Sequence, residues 1–195
     1  SDITARRMIG LDAGPEGGVS TTSAGAQEVI FSIPVDYAPA NGKALRLAVG
    51  GLLGGHSAMN ITDEKGNANK IMGRLLHNVA KVAGFRIATI TGGAMFNAIP
   101  REASAVFVID PADEAKVRAV IEKVTAELKD EFAASDAGLT VTVEDAAADK
   151  ALSAATTTAV VETLYNVPNG VRMMNKLVPG LPVTSTNMGV VKTLE

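Results

Sequence analysis

The stretch "ALRLAVGGLLGGHSAMN", Ala44 to Asn60, decides how the rest of the chain is read. Leu45, Leu47, Val49 and Leu53 fall on one face of an alternating strand, the pattern of a half-buried sheet position. The strand then runs into Gly54-Gly55-His56-Ser57. Paired glycines permit dihedrals that other residues avoid and let the backbone approach a neighbour closely. The turn therefore presents an imidazole. His56 reads in two ways: as a hydrogen-bond donor or proton handler held over a site, or as a structural histidine bonded to a backbone carbonyl.

Outward from this strand the periodicities set the class. On the N-terminal side, Val29, Phe31, Ile33 and Val35 alternate and predict a strand. "APANG" at 38–42 turns it into an antiparallel hairpin with 44–53. On the other side a helix is predicted over 67–83, with Ile71, Met72, Leu75, Leu76, Val79 and Val82 on one arc and Gly84 stopping it. "FRIATIT" and "SAVFVI" read as strands. "DPADEA" opens a second helix: Asp110 caps it, Pro111 suits its first position, and Asp113 and Glu114 suit its first turn. Its apolar stripe is Val117, Val120, Ile121, Val124, Leu128 and Phe132. "GLTVTV" is a further strand. A third helix is expected over about 147–166, with Leu152, Ala155, Ala159, Val160 and Leu164 inward. A last strand is expected near "TSTNMGVVKTL". The order β-β-α-β-β-α-β-α-β predicts an α+β fold, a largely antiparallel sheet with helices packed on one face.

The 195 residues are 47% hydrophobic, enough for a sizeable core. Eighteen basic and 21 acidic residues leave a net charge of −3. That balance, with 4% aromatics and no Trp, gives no footprint for nucleic acid or for an anionic membrane. The absence of cysteine excludes disulfides, thiolate catalysis and Cys-based zinc sites, and fits a reducing compartment. No signal-peptide h-region is visible, and no apolar run approaches the roughly 20 residues of a membrane helix. A cytoplasmic location is the expectation.

Few residues offer chemistry. Asp12 ends the short apolar stretch "MIGLD" and reads as a metal ligand at a strand end or as a turn-forming Asp. "TGGAMFNAIPREA", Thr91 to Ala103, is an irregular stretch between strands. Within it Asn97 either offers its two amide hydrogens to a carboxylate or closes the turn. Asn67 of "GNANK" is expected to cap the first helix. His77 on that helix is expected to be solvated, Arg101 and Glu102 to be exposed, and Arg172 to be an ordinary surface residue. There is no Ser/His/Asp set of known spacing, no Walker loop and no H-E-x-x-H. A catalytic zinc site takes about three protein ligands, which Asp12 and His56 do not make. The domain therefore only binds, or it completes a site built elsewhere.

Four segments carry a resemblance. "GGHSAMNITDEKGNANKIMGRLL", "GGAMFNAIPREA", "PNGVRMMNKLVPGLPVTSTNMGVV" and "GLDAGPEGG" resemble, in order and spacing, segments of the bacterial aminoacyl-histidine dipeptidases, metallopeptidases that cleave Xaa-His dipeptides. The resemblance implies a lid, or dimerisation, domain over 27–195. Residues 1–26 would be the edge of a catalytic domain that lies otherwise outside the chain. It implies two zinc ions held mainly by that domain, a dipeptide substrate and a homodimer. Asp12 would correspond to a metal ligand, although Ala13-Gly14-Pro15 replaces the acidic run that follows it in the family. His56 would correspond to the lid histidine that steadies the substrate carbonyl as it becomes an oxyanion. Asn97 would correspond to the lid asparagine that binds the terminal carboxylate. The competing reading is a non-catalytic dimerisation or interaction module.

Overall fold

A computed structural model describes residues 25–194 and, before them, Gly17 alone. The chain divides into two compact units, Ser1–Phe31 and Ser32–Glu195. In the first, residues 25–31 form neither helix nor strand. The second contains strands β1 (Tyr37–Pro39), β2 (Lys43–Gly50) and β3 (Gly55–His56), helix α1 (Ala68–Ala80), and strands β4 (Phe85–Gly92), β5 (Ala98–Ile99) and β6 (Ala103–Ile109). Helix α2 (Glu114–Glu131), strands β7 (Thr140–Asp145) and β8 (Lys150–Leu152), helix α3 (Ala154–Asn166) and strands β9 (Gly170–Met174), β10 (Pro182–Thr186) and β11 (Val191–Lys192) complete it.

The main sheet has five strands in the order β11-β4-β6-β2-β7, antiparallel at every pairing. This is the α+β class expected. The strand predicted over 29–35 is absent. Its alternation is real, but a strand needs a ladder partner, and β2 already pairs with β6 on one edge and β7 on the other. The segment instead leads to β1, which pairs with β8.

One face of the sheet carries the core. Leu45 and Leu47 of β2, Ile87 of β4 and Phe107 and Ile109 of β6 are buried against α1, α2 and α3. Helix α1 supplies Ile71, Met72, Leu75, Leu76 and Val79, all buried as its stripe predicts. Helix α2 supplies Val117, Ile121, Val124 and Leu128. Each such side chain contributes about 1.5–3 kcal/mol on full burial. The alternation in β2 does not run on to Leu53. The backbone turns at Gly51 (φ 75°), so Leu52 enters the core and Leu53 faces out.

Helix α3 starts later than predicted because its cap is Ser153, whose Oγ accepts from Thr156 N at 3.1 Å. Leu152 belongs to β8. The inward face is Thr156, Thr157, Val161 and Leu164, while Ala155 and Ala159 are exposed. The two threonines are tolerated inside because their hydroxyls are used. Thr157 Oγ1 accepts from Ile87 N at 3.1 Å, and Thr156 Oγ1 donates to Asp36 Oδ1 at 2.6 Å. Hydrogen bonds from Thr156 and then Ser153 hold the Asp36 carboxyl below the ordinary aspartate value.

At the far end of α3 the Lys70 ammonium donates to Leu164 O at 2.6 Å and to Tyr165 O and Val167 O at 2.7 Å each. It closes the last carbonyls of one helix from the first turn of another. Burial pushes this ammonium below the ordinary lysine value. His77 is not solvated as predicted. Packing of α3 on α1 stacks it on Tyr165, with ring centroids 3.8 Å apart, and leaves its Nδ1 buried 3.4 Å from Glu162 Oε1.

Candidate functional site

Between β2 and α1 the chain leaves the sheet, and this excursion carries His56. Gly54 (φ 64°) begins it in the left-handed region. A Cβ there would meet Ile99 O at 2.9 Å and the Arg101 side chain as well, so the position demands glycine. The buried Asp136 carboxylate ties both ends. Oδ1 accepts from Leu53 N and Oδ2 from Gly66 N, each at 2.7 Å.

The excursion pairs with the loop that carries Asn97. β3 and β5 form a two-stranded antiparallel ladder in which Gly55 faces Ile99 and His56 faces Ala98. Ser57 N donates to Asn97 O at 2.9 Å. Residues predicted separately on two distant loops are thus adjacent across one ladder. His56 is exposed and Asn97 half-buried.

The His56 ring is oriented by its own turn. His56 N donates to Asn60 Oδ1 at 2.9 Å, Asn60 N donates to His56 O at 2.9 Å, and Ala58 N donates to His56 Nδ1 at 3.1 Å. A nitrogen that accepts carries no proton, so the neutral ring holds its hydrogen on Nε2. No partner engages Nε2 among the described residues, and none engages the Asn97 amide. Both groups remain available as donors.

The surroundings explain the polar "GNANK" run. Asn67 Oδ1 accepts from Asn69 N at 3.0 Å and Lys70 N at 3.2 Å, the cap predicted for α1. Its Nδ2 donates to Asn169 Oδ1 at 2.9 Å and Asn187 Oδ1 at 3.2 Å. A cleft of about 490 Å³ opens between the turn at Ile61–Lys65 and the start of β9, and Ile99 forms part of its wall. Arg101, Glu102 and Arg172 are exposed as expected. Asp12 lies outside the described residues.

Sequence reasoning missed Asp136, Asn187 and the β9–β10 hairpin. "ASDAG" looks like an ordinary turn, and "TSTNMG" reads as part of the last strand, which in fact divides into β10 and β11 with Asn187 between them. Nothing local shows that their polar groups close bonds to loops far away in sequence. Among the described residues no group of three or more His, Asp or Glu is arranged to hold a metal ion. The zinc ions implied by the resemblance do not fit this part of the chain. No helix among the described residues is long and apolar enough to cross a membrane.

The fold is an antiparallel sheet backed by helices, with His56 and Asn97 on the two chain segments that the separate β3–β5 ladder joins. Residues 47–136 match the model of the peptidase dimerisation domain. The chain is 33% identical over 193 residues to the cytosol non-specific dipeptidase of Escherichia coli K12, covering 97% of this chain and 40% of that protein. It is similar in structure to the aminoacylhistidine dipeptidase of Vibrio alginolyticus, with a TM-score of 0.78 and 34% identity over 85% of this chain and 34% of that one. The chain thus spans well under half the length of the relatives it matches.

Proposed function

We propose that this chain is the lid and dimerisation domain of a cytoplasmic zinc-dependent dipeptidase acting on Xaa-His dipeptides. It lends substrate-binding groups to a catalytic domain that carries the metals. The observation that carries this reading is the pairing of His56 with Ala98 in β3–β5, which brings the two chain segments carrying His56 and Asn97 together, with no partner for the imidazole Nε2 among the described residues. Zinc ions held by the catalytic domain would supply an activated water and polarise the scissile carbonyl. In the closed enzyme His56 Nε2 donates to the carbonyl oxygen as negative charge develops on it. Asn97 Nδ2 donates to the terminal carboxylate and fixes the register of the dipeptide. Such donors act only when the lid meets the catalytic domain, so closure gates the reaction.

The similarity to two dipeptidases supports a peptide substrate, and the match to a peptidase dimerisation domain supports a homodimer. That same match favours a second reading, in which the domain only dimerises and His56 and Asn97 have no part in turnover. The experiment that separates them is a His56→Ala/Asn97→Ala double substitution in the full-length enzyme. The leading reading expects loss of Ala-His hydrolysis with the dimer intact in sedimentation. Unchanged turnover would leave the module reading standing.

A further inference from the structure

The loop that presents Asn97 is held from a segment about 90 residues further along the chain. Asn187 Nδ2 donates to Phe96 O at 3.2 Å and to Ala98 O at 2.8 Å. These are the two carbonyls that flank Asn97. The other end of the same amide, Oδ1, accepts from Asn67 Nδ2 at 3.2 Å. Asn67 is itself buried and anchored as the cap of α1. The backbone around Asn187 is pressed onto the same loop. A Cβ at Gly189 would meet Phe96 Cα at 2.8 Å and Phe96 O at 2.6 Å, so the two strands of chain approach as closely as glycine allows.

We infer that Asn187 is a positioning residue for Asn97, holding the carbonyls of its two neighbours, Phe96 and Ala98, from the capped N-terminus of α1. This inference rests on the proposed role of Asn97 in holding the substrate carboxylate. One amide grips the carbonyls of peptide units 96–97 and 98–99, while Ser57 N holds the carbonyl of the unit between them, Asn97 O, at 2.9 Å. The backbone at Asn97 therefore cannot turn without disturbing at least one of these bonds. The Asn97 side chain is free of partners among the described residues. The direction of its Cα–Cβ bond is set by its backbone, which Asn187 holds together with Ser57 N. Loss of the Asn187 amide leaves Asn97 chemically intact but no longer aimed, which weakens substrate binding at the carboxylate end.

The test is a double-mutant cycle in the full-length enzyme, with Ala-His as substrate and kcat and KM measured separately. Asn97→Ala is expected to raise KM at least tenfold. Asn187→Ala is expected to raise KM by a comparable factor, and the double substitution to add less than about twofold to Asn97→Ala alone. Asn187→Ser keeps one hydroxyl donor for one of the two carbonyls and is expected to fall between wild type and Asn187→Ala. It also carries the test by itself if Asn187→Ala does not fold. A KM unchanged in Asn187→Ala and Asn187→Ser while Asn97→Ala raises it would overturn the positioning role and leave Asn97 its function. Fully multiplicative effects in the double variant would overturn it too, because Asn187 would then act independently. A KM unchanged in Asn97→Ala would overturn the role of Asn97 and this inference with it.

Discussion

The carboxylate of Asp136 holds the backbone amide of Leu53 at 2.7 Å across 83 residues of sequence. Its second oxygen holds Gly66 N, so one buried side chain closes the whole excursion between β2 and α1. Hydrogen bonds to a charged acceptor are worth about 1.5–3 kcal/mol each, and a stranded buried amide costs about 1–3 kcal/mol. Asp136→Ala is therefore expected to lower stability by about 3 kcal/mol or more. Asp136→Asn keeps one acceptor oxygen and should lose less. Urea unfolding of the three proteins checks the order, and equal midpoints for wild type and Asp136→Ala would contradict it.

Lys70 makes a second long-range closure. Its ammonium meets Leu164 O and Tyr165 O in the last turn of α3 and Val167 O at its C-cap, groups that a helix cannot satisfy by itself. Lys70→Met keeps the apolar stem and removes the donors. The expected cost is about 2 kcal/mol, with the early loss concentrated in α3. Hydrogen exchange should show the amides of Thr163–Val167 losing protection while those of α2 keep theirs. Uniform loss would mean that Lys70 does not act as a cap.

The acid limb of stability contains an Asp36 component. The Thr156 and Ser153 hydroxyls hold its carboxyl below the ordinary aspartate value of 3.8, because they donate to the ionised form. A carboxyl that titrates lower in the folded chain than in the unfolded one stabilises the fold above the unfolded value. That contribution disappears as the pH falls through the folded value. Wild type should therefore exceed Asp36→Asn in stability at pH 6, and the two should converge below pH 3.8. Parallel curves down to pH 2 would show that the hydroxyls do not discriminate the charge. Asp63 and Asp145 are also lowered, by Asn60 and Lys43 respectively, so the difference between the two proteins, not the absolute curve, isolates Asp36.

What could be read in the sequence follows from which interactions are local. The stripe Ile71/Met72/Leu75/Leu76/Val79 and the cap Asn67 lie within one helix, and both were legible. So was the alternation of β2, whereas Asp110, expected to cap α2, caps the short turn Pro111–Asp113 ahead of it. The strand expected at 29–35 failed because alternation does not report whether an edge is free. Helix α3 was over-extended because alanines continue a helical pattern that Ser153 in fact begins. His77 was misplaced because its neighbour Tyr165 lies on another helix. At the site, His56 was visible through its glycines. Its adjacency to Asn97 depends on β3–β5 pairing, and the grips of Asp136 and Asn187 depend on contacts that no periodicity encodes.

The role of His56 separates chemistry from folding. Its side chain is exposed, and among the described residues its ring makes a single bond, from Ala58 N to Nδ1. His56→Ala should leave the unfolding midpoint nearly unchanged. In the full-length enzyme it should cut kcat by about 100- to 1000-fold, the range for removing one oxyanion donor. Gly54→Ala is the companion variant. It keeps the imidazole but forces a Cβ against Ile99 O in the left-handed region, so the ladder that carries His56 must shift. Its kcat should fall as well, this time together with stability. A kcat within threefold of wild type for His56→Ala, in protein that folds normally, would remove the oxyanion role. A loss of kcat in Gly54→Ala would then have to come from displacement of Asn97 across the same ladder.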